Sequence, residues 1–188
     1  ESYNPIQVIN YILNRDFNYN NRWTKACAVH ATAYIPSFRV SRGLISQMFN
    51  SDKLLQETTA WVIFNKDKQA YYTVAERLPY KDKKFLDSSI ESNQLLDGLD
   101  DGFFLFIEMI MLIKKIPVFE NIQGKVLSDL ADKIQPITLK PGEVHPISQT
   151  EEMPILIAAH GQLDLKDDQQ LVMTLKPGDV YGDLFQEG

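Results

Sequence analysis

The sequence predicts an α+β protein, with an N-terminal helical repeat followed by a β-roll or jelly roll. Three observations carry this. The first third of the chain matches itself at an offset of 32 residues. Near Pro136 the hydrophobic period changes from helical to that of short strands. Two similar tetrapeptides, Lys140-Pro141-Gly142-Glu143 and Lys176-Pro177-Gly178-Asp179, then punctuate the strands. Pro at the second position and Gly at the third specify a type II turn, because glycine takes the positive φ there at little cost.

The repeat pairs Ile12 with Leu44, Leu13 with Ile45, Phe17 with Phe49, Asn18 with Asn50, Asn20 with Asp52, Trp23 with Leu55 and Ala28 with Ala60. A period in this range points to stacked units, each unable to bury its apolar face alone. The first unit reads as helices over Ile6–Arg15 and Arg22–Tyr34, with Pro5 at a first helical position and Pro36 beyond the end. The second reads as Val40–Phe49 and Lys53–Asn65, and Asn20 and Asp52 stand where N-caps belong. A further helix runs from a cap at Asp67 to Leu78, stopped by Pro79, with Ala70, Tyr71, Val74 and Leu78 on one side.

In the second helix, Trp23, Cys27, His30 and Tyr34 recur at steps of four, three and four, which predicts a packed stripe, while Ala26, Ala28, Ala31 and Ala33 permit close helix approach. His30 has no ligand partner at metal spacing, and Cys27 has no neighbour to activate its thiol, so both are expected to be structural.

Charge excludes several functions. Residues 1–100 hold 12 basic and 11 acidic side chains, and residues 101–188 hold 7 and 14, so the net charges are +1 and -7. No arginine follows Arg77. The densest basic patch, Lys81–Lys84, contains three lysines beside Asp82 and reads as a solvated helix start, so no nucleic-acid surface is expected. One cysteine allows no internal disulfide, which fits a reducing compartment. The most apolar run, Phe103–Ile113, is 11 residues and is interrupted by Glu108, well short of the roughly 20 a membrane helix needs, so a buried helix is expected. The chain opens on Glu1 without a leader, and the expectation is a cytoplasmic segment of a larger protein, without membrane insertion inside this segment.

Between Ser88 and Gly102 periodicity gives way to turn residues, which predicts a junction. Asp97, Asp101, Gly102 and Glu108 fall at positions one, five, six and twelve of a calcium loop, but Leu99 and Leu105 stand where oxygen ligands are required. Asp100 or Asp101 is expected to cap the next helix instead. A short amphipathic helix follows over Lys125–Ile134, with Asp129 and Asp132 expected on its solvated face. Strands are expected at Ile137–Leu139, Ile155–Ala158, Gln162–Leu165 and Leu171–Leu175, with a turn at Asp167-Asp168. His145 and His160 fall in these β segments, where turn or strand roles suffice. No phosphate-binding glycine loop, Gly-x-Ser-x-Gly, HExxH or CxxC occurs, so the chain is expected not to be an enzyme.

RWTKACAVHA at Arg22–Ala31 and LLQETTAWVIF at Leu54–Phe64 resemble second helices of HEAT-like repeats. That resemblance covers about residues 4–90 and implies a short right-handed solenoid that contacts another protein or a neighbouring domain. IPVFENIQGKVLSDLADKIQPITLKPGEV, LIAAHGQLDL and LKPGDVYGDLF, in that order, resemble a cyclic-nucleotide-binding-like β-roll. In nucleotide-binding members of that family a Gly-Glu-Leu follows an aromatic residue. Its carboxylate holds the ribose, and a later arginine holds the cyclic phosphate. By this resemblance Tyr181, Gly182, Asp183 and Leu184 are the candidate ligand residues, with Asp183 at the carboxylate position on a shorter arm.

The sequence stops at Gly188, before the position of that arginine, so either the roll continues beyond it or the cassette is degenerate. The second reading is favoured, because a cyclic phosphate without a bidentate guanidinium loses its best partner. The division implied is a HEAT-like repeat over 1–92, a linker and connecting helix over 93–115, and a roll over 116–188 expected to be incomplete at its C-terminal end. This domain order resembles the soluble C-terminal region of some bacterial transporters of the major facilitator or ATP:ADP antiporter type. The function expected is a non-catalytic interaction or regulatory module with a degenerate cassette and no cofactor. A cyclic-nucleotide (cAMP or cGMP) sensor is the alternative, not favoured.

Overall fold

A computed structural model describes residues 4–15, 21–94, 105–147 and 155–182. Within them the protein is mixed α and β, with helices first and small antiparallel sheets after.

The helical part is built as two helix pairs. Helix α1 (Pro5–Leu13) packs on α2 (Arg22–Thr32), and α3 (Arg42–Gln47) packs on α4 (Lys53–Lys66). Equivalent helices of the two pairs also touch, α1 against α3 and, most extensively, α2 against α4. Each start is fixed by a polar side chain that satisfies an otherwise orphaned amide. Asn21 accepts from the Thr24 amide at 2.9 Å, Ser41 from Leu44 at 3.2 Å and Asp52 from Leu55 at 3.1 Å. The cap of α2 is therefore Asn21 and not Asn20, which lies outside the described residues.

Helix α4 is the centre of the body, buried at ten positions from Leu54 to Phe64. Its buried polar residues find hydrogen-bond partners, which is what lets a mixed sequence go inside. Thr58 and Thr59 donate to the carbonyls of Leu54 and Leu55 at 2.7 Å each, and Gln56 donates to the Met48 carbonyl at 2.9 Å. Against α4 lie α5 (Lys68–Ala75), capped by Asp67, and α6 (Tyr80–Gln94). Helix α5 stops at Ala75, before Leu78.

The stripe expected on α2 is not the face that enters the core. Ala26, Ala28, Val29 and Thr32 are buried there, while Trp23, Cys27 and His30 are half-buried and Tyr34 is 70% exposed. Small residues let α2 approach α4 closely, so the large rings are displaced to the flank. There His30 stacks on Trp61 with centroids 5.5 Å apart and planes 15° apart.

The apolar run at 103–113 does yield a helix, α7 (Phe106–Lys114), with Ile107, Met109, Ile110 and Ile113 buried. It packs on α4, and on α8 (Gly124–Ala131), which returns to α2. Gly124 begins α8 directly against the Trp23 indole, where a Cβ would overlap the ring. The helices before and after residues 95–104 thus share one apolar core.

The strands form two separate two-stranded sheets. Strand β1 (Leu156–Ile157) pairs with β4 (Val180–Tyr181), and β2 (Leu163–Asp167) pairs with β3 (Gln170–Leu175). Ile157 and Val180 rest on the helical core. The β2–β3 turn centres on Asp168 and Gln169, both at positive φ (42° and 71°), one residue beyond the expected Asp167-Asp168. Residues 137–139 are not a strand. Ile137 is exposed, and no neighbouring backbone pairs with this stretch among the described residues.

Candidate functional site

The two Lys-Pro-Gly-acid turns form as their residues dictate. The Glu143 amide donates to the Lys140 carbonyl and the Asp179 amide to the Lys176 carbonyl, at 2.9 Å in each case, with Gly142 and Gly178 at φ +82° and +92°. The acidic fourth residue locks each turn by accepting from the amide of the lysine, Glu143 at 2.9 Å and Asp179 at 2.8 Å. The second turn delivers the chain into β4. There Leu156 faces Tyr181 and Ile157 faces Val180, and the Gly178 amide donates to the Ala158 carbonyl at 2.8 Å.

Tyr181 and Gly182 therefore sit at the end of a paired edge, half-buried, with Gly182 at φ +123°. Asp183 and Leu184, the other two candidate ligand residues, lie outside the described residues. So do Asp97, Asp100, Asp101 and Gly102, and with them most of the calcium-loop match. His145 and His160 are both exposed.

Helix α7 has Leu105 at its N-cap, and two carboxylates do the capping. Glu108 reaches back to the Leu105 amide at 3.1 Å. Glu57, from the middle of α4, accepts from the Phe106 amide at 2.8 Å, and its other oxygen accepts from the Ser89 hydroxyl of α6 at 2.6 Å. Burial pushes the Glu57 carboxyl above the ordinary glutamate range. Its two hydrogen bonds pull the other way, and the nearby Glu108 adds to the rise. Glu108 is raised by burial as well, against the pull of the Leu105 amide. Glu108 falls at the twelfth position of the calcium-loop spacing, but its carboxylate caps its own helix.

A second polar centre lies at Arg22. Its two terminal nitrogens meet Asp132 at 2.6 and 3.1 Å, and Nη1 lies 3.7 Å from Asp129. Nε lies 2.7 Å from Asp52, an ion pair whose N–H is not aligned for a hydrogen bond. Asp129 and Asp132 were expected merely to face solvent. They remain largely exposed at their outer edges, but they close over the guanidinium. The hydrogen bond to Asp132 chiefly holds the Arg22 pKa above its ordinary value.

Neither Glu57 nor Arg22 is singled out by spacing. The available signal was a lone acid inside the otherwise uncharged run LLQETTAWVIF, and an arginine directly after a capping asparagine.

These arrangements build helix junctions, and none aligns a nucleophile with a base. Burial raises the Cys27 thiol to about 11 and lowers the His30 imidazole. Among the described residues no three His, Cys, Asp or Glu side chains gather as a metal site, and no helix is long and apolar enough to cross a membrane. No family model, no curated protein and no solved structure matches this chain.

Proposed function

We propose that the chain is a non-catalytic interaction and regulatory module. Its helical pairs form a HEAT-like repeat that contacts a partner protein or neighbouring domain. Its strands belong to a cyclic-nucleotide-binding-like roll with a degenerate cassette. The pairing of first helix with first helix and second with second supports the repeat reading. The two acid-locked turns around the hairpin support the roll reading, as does β3, which leaves Leu171, Val172 and Met173 exposed as a strand would that further strands cover. The soluble part of a larger transporter-type protein, on the cytoplasmic side, is the setting this reading carries.

One observation carries the degenerate cassette. Every arginine lies at or before residue 77, and Arg22, which reaches across to the C-terminal half, is already enclosed by Asp52, Asp129 and Asp132. A cyclic phosphate near Tyr181 and Gly182 would find no arginine within residues 78–188, in a half of the chain with net charge -7. The aromatic side chains of Tyr34 and Tyr80, 70% and 79% exposed on the helical body, supply the kind of surface at which partner proteins anchor. Calorimetric titration of the whole protein with cyclic AMP and cyclic GMP tests this reading. No heat of binding is expected; saturable micromolar binding, lost in Asp183→Ala, would establish a nucleotide sensor instead.

A further inference from the structure

We propose that Glu57 and Glu108 form a proton-dependent clasp at the start of α7, closing α6 and α7 onto α4 when a proton is bound and loosening them as it leaves. The geometry is specific. Two carboxyl groups, one from α4 and one from α7, take the consecutive amides of Leu105 and Phe106, and Glu57 also takes Ser89 of α6. Glu57 is 5% exposed, so its ionised form is a nearly desolvated charge beside a second carboxylate.

The charged groups on the elements around α4 do not relieve this. They are Arg22 and Lys25 on α2, Arg42 on α3, Lys68 on α5, Lys81, Asp82, Lys83, Lys84, Asp87 and Glu91 on α6, and Glu108 and Lys114 on α7, with Lys53 and Lys66 on α4 itself. Arg22 is held by aspartates, Lys53 by Asp82 and Lys83 by Glu76. Lys66 donates to the Ile35 carbonyl and Lys114 to those of Glu120 and Ile122, Lys68 lies over the Phe64 ring, and Asp87 accepts from Tyr71. Glu108 is the one whose charge bears on the Glu57 carboxyl, and it has the same sign.

The neutral form can keep both of the Glu57 contacts. A protonated Glu57 keeps the Phe106 amide on its carbonyl oxygen and donates to Ser89, whose hydroxyl reverses its role. The closed clasp therefore favours the proton, and burial raises both carboxyl groups in that direction. The sign follows by linkage. A carboxyl whose folded pKa is raised contributes stability that is complete below its unfolded pKa and lost as pH rises through the folded one. Because Ser89 lies on α6 and Phe106 begins α7, the clasp ties both helices to α4.

The test follows the carbon-13 carboxyl signal of Glu57 in the whole chain from pH 4 to 8. Hydrogen exchange of the Ile107–Ile110 amides is measured over the same range, corrected for intrinsic exchange. Glu57 is expected to titrate above the ordinary glutamate range. Opening of α7 should increase across that same interval, by up to about tenfold per pH unit. Glu57→Gln, which can make both contacts without a charge, should abolish the increase. A Glu57 that titrates normally, an α7 whose opening ignores that titration, or an unchanged pH response in Glu57→Gln would each overturn the clasp. Should Glu57→Gln fail to fold, Glu108→Gln serves: it should move the Glu57 midpoint and the opening interval together to lower pH, and no movement would contradict the proposal.

Discussion

Arg22 and Asp132 stand 110 residues apart and meet as a two-pronged ion pair, the guanidinium of α2 gripping the residue that ends α8. Nη1 also lies 3.4 Å from the Ser128 carbonyl, so the same side chain touches the last turn of α8. Asp52 meanwhile both caps α4 and pairs with Nε. One arginine thus fixes where α8 sits on the two helical pairs.

Replacing Arg22 with Ala should leave Asp52 and Asp132 facing each other without a cation. Because the aspartates are partly exposed, the expected loss is about 1–3 kcal/mol rather than the larger value of a fully buried pair. Arg22→Lys restores charge but not the fork and should recover only part of it. Urea denaturation of the three proteins checks this; an Arg22→Ala protein as stable as the parent would contradict it.

Cys27 should resist alkylation. With its thiol raised by burial to about 11, the thiolate is scarce at pH 8, and the labelling rate should keep climbing with pH beyond the range of a free cysteine. The same shift predicts stability lost as pH rises from the ordinary 9.0 toward about 11, since the folded state keeps a proton that the unfolded state gives up. Iodoacetamide kinetics with and without denaturant measure the first, and alkaline melts of the parent and Cys27→Ala the second.

Gly124→Ala places a methyl group inside the Trp23 indole. The usual helical gain of alanine is about 1 kcal/mol, while forcing a half-buried ring aside costs about 1–3 kcal/mol. A net loss is expected, together with a shift in tryptophan emission as Trp23 becomes more exposed. A Tm equal to or above the parent's would show that the ring yields freely.

Gln169→Gly should stabilise the β2–β3 hairpin. Both central residues of this two-residue turn have positive φ, a conformation that costs a non-glycine residue about 1 kcal/mol or more, and Asp-Gly suits it far better than Asp-Gln. Slower amide exchange at Leu165 and Met173 is the expected signal, and unchanged or faster exchange would count against it.

Local chemistry made much of this fold readable. The cap at Asp52, the cap at Asp67 and the paired Pro-Gly turns depend on a few adjacent residues, and each forms where the sequence requires it. The failures are non-local. Residues 137–139 have strand composition but no pairing partner among the described residues, and composition cannot supply one. The Trp23–Tyr34 stripe has helical spacing, yet the alanine face wins the core because it allows closer packing. Nothing adjacent to Glu57 in the sequence signals its role, because its partners are 32 and 49 residues away. Asp129 likewise has the spacing of a solvated face and meets Arg22 only because α8 turns back onto α2. Of the candidate ligand residues, Tyr181 and Gly182 are placed by strand pairing, whereas the cassette reading of Asp183 and Leu184 rests on resemblance.

The degenerate cassette is tested most directly by proton–nitrogen spectra of the whole protein titrated with cyclic AMP and cyclic GMP, following the amides of Tyr181 and Gly182. These signals should not move at millimolar nucleotide, since residues 78–188 contain no arginine to hold the phosphate. Saturable shifts at Tyr181 and Gly182 that disappear in Asp183→Ala would contradict the account and make the protein a nucleotide sensor.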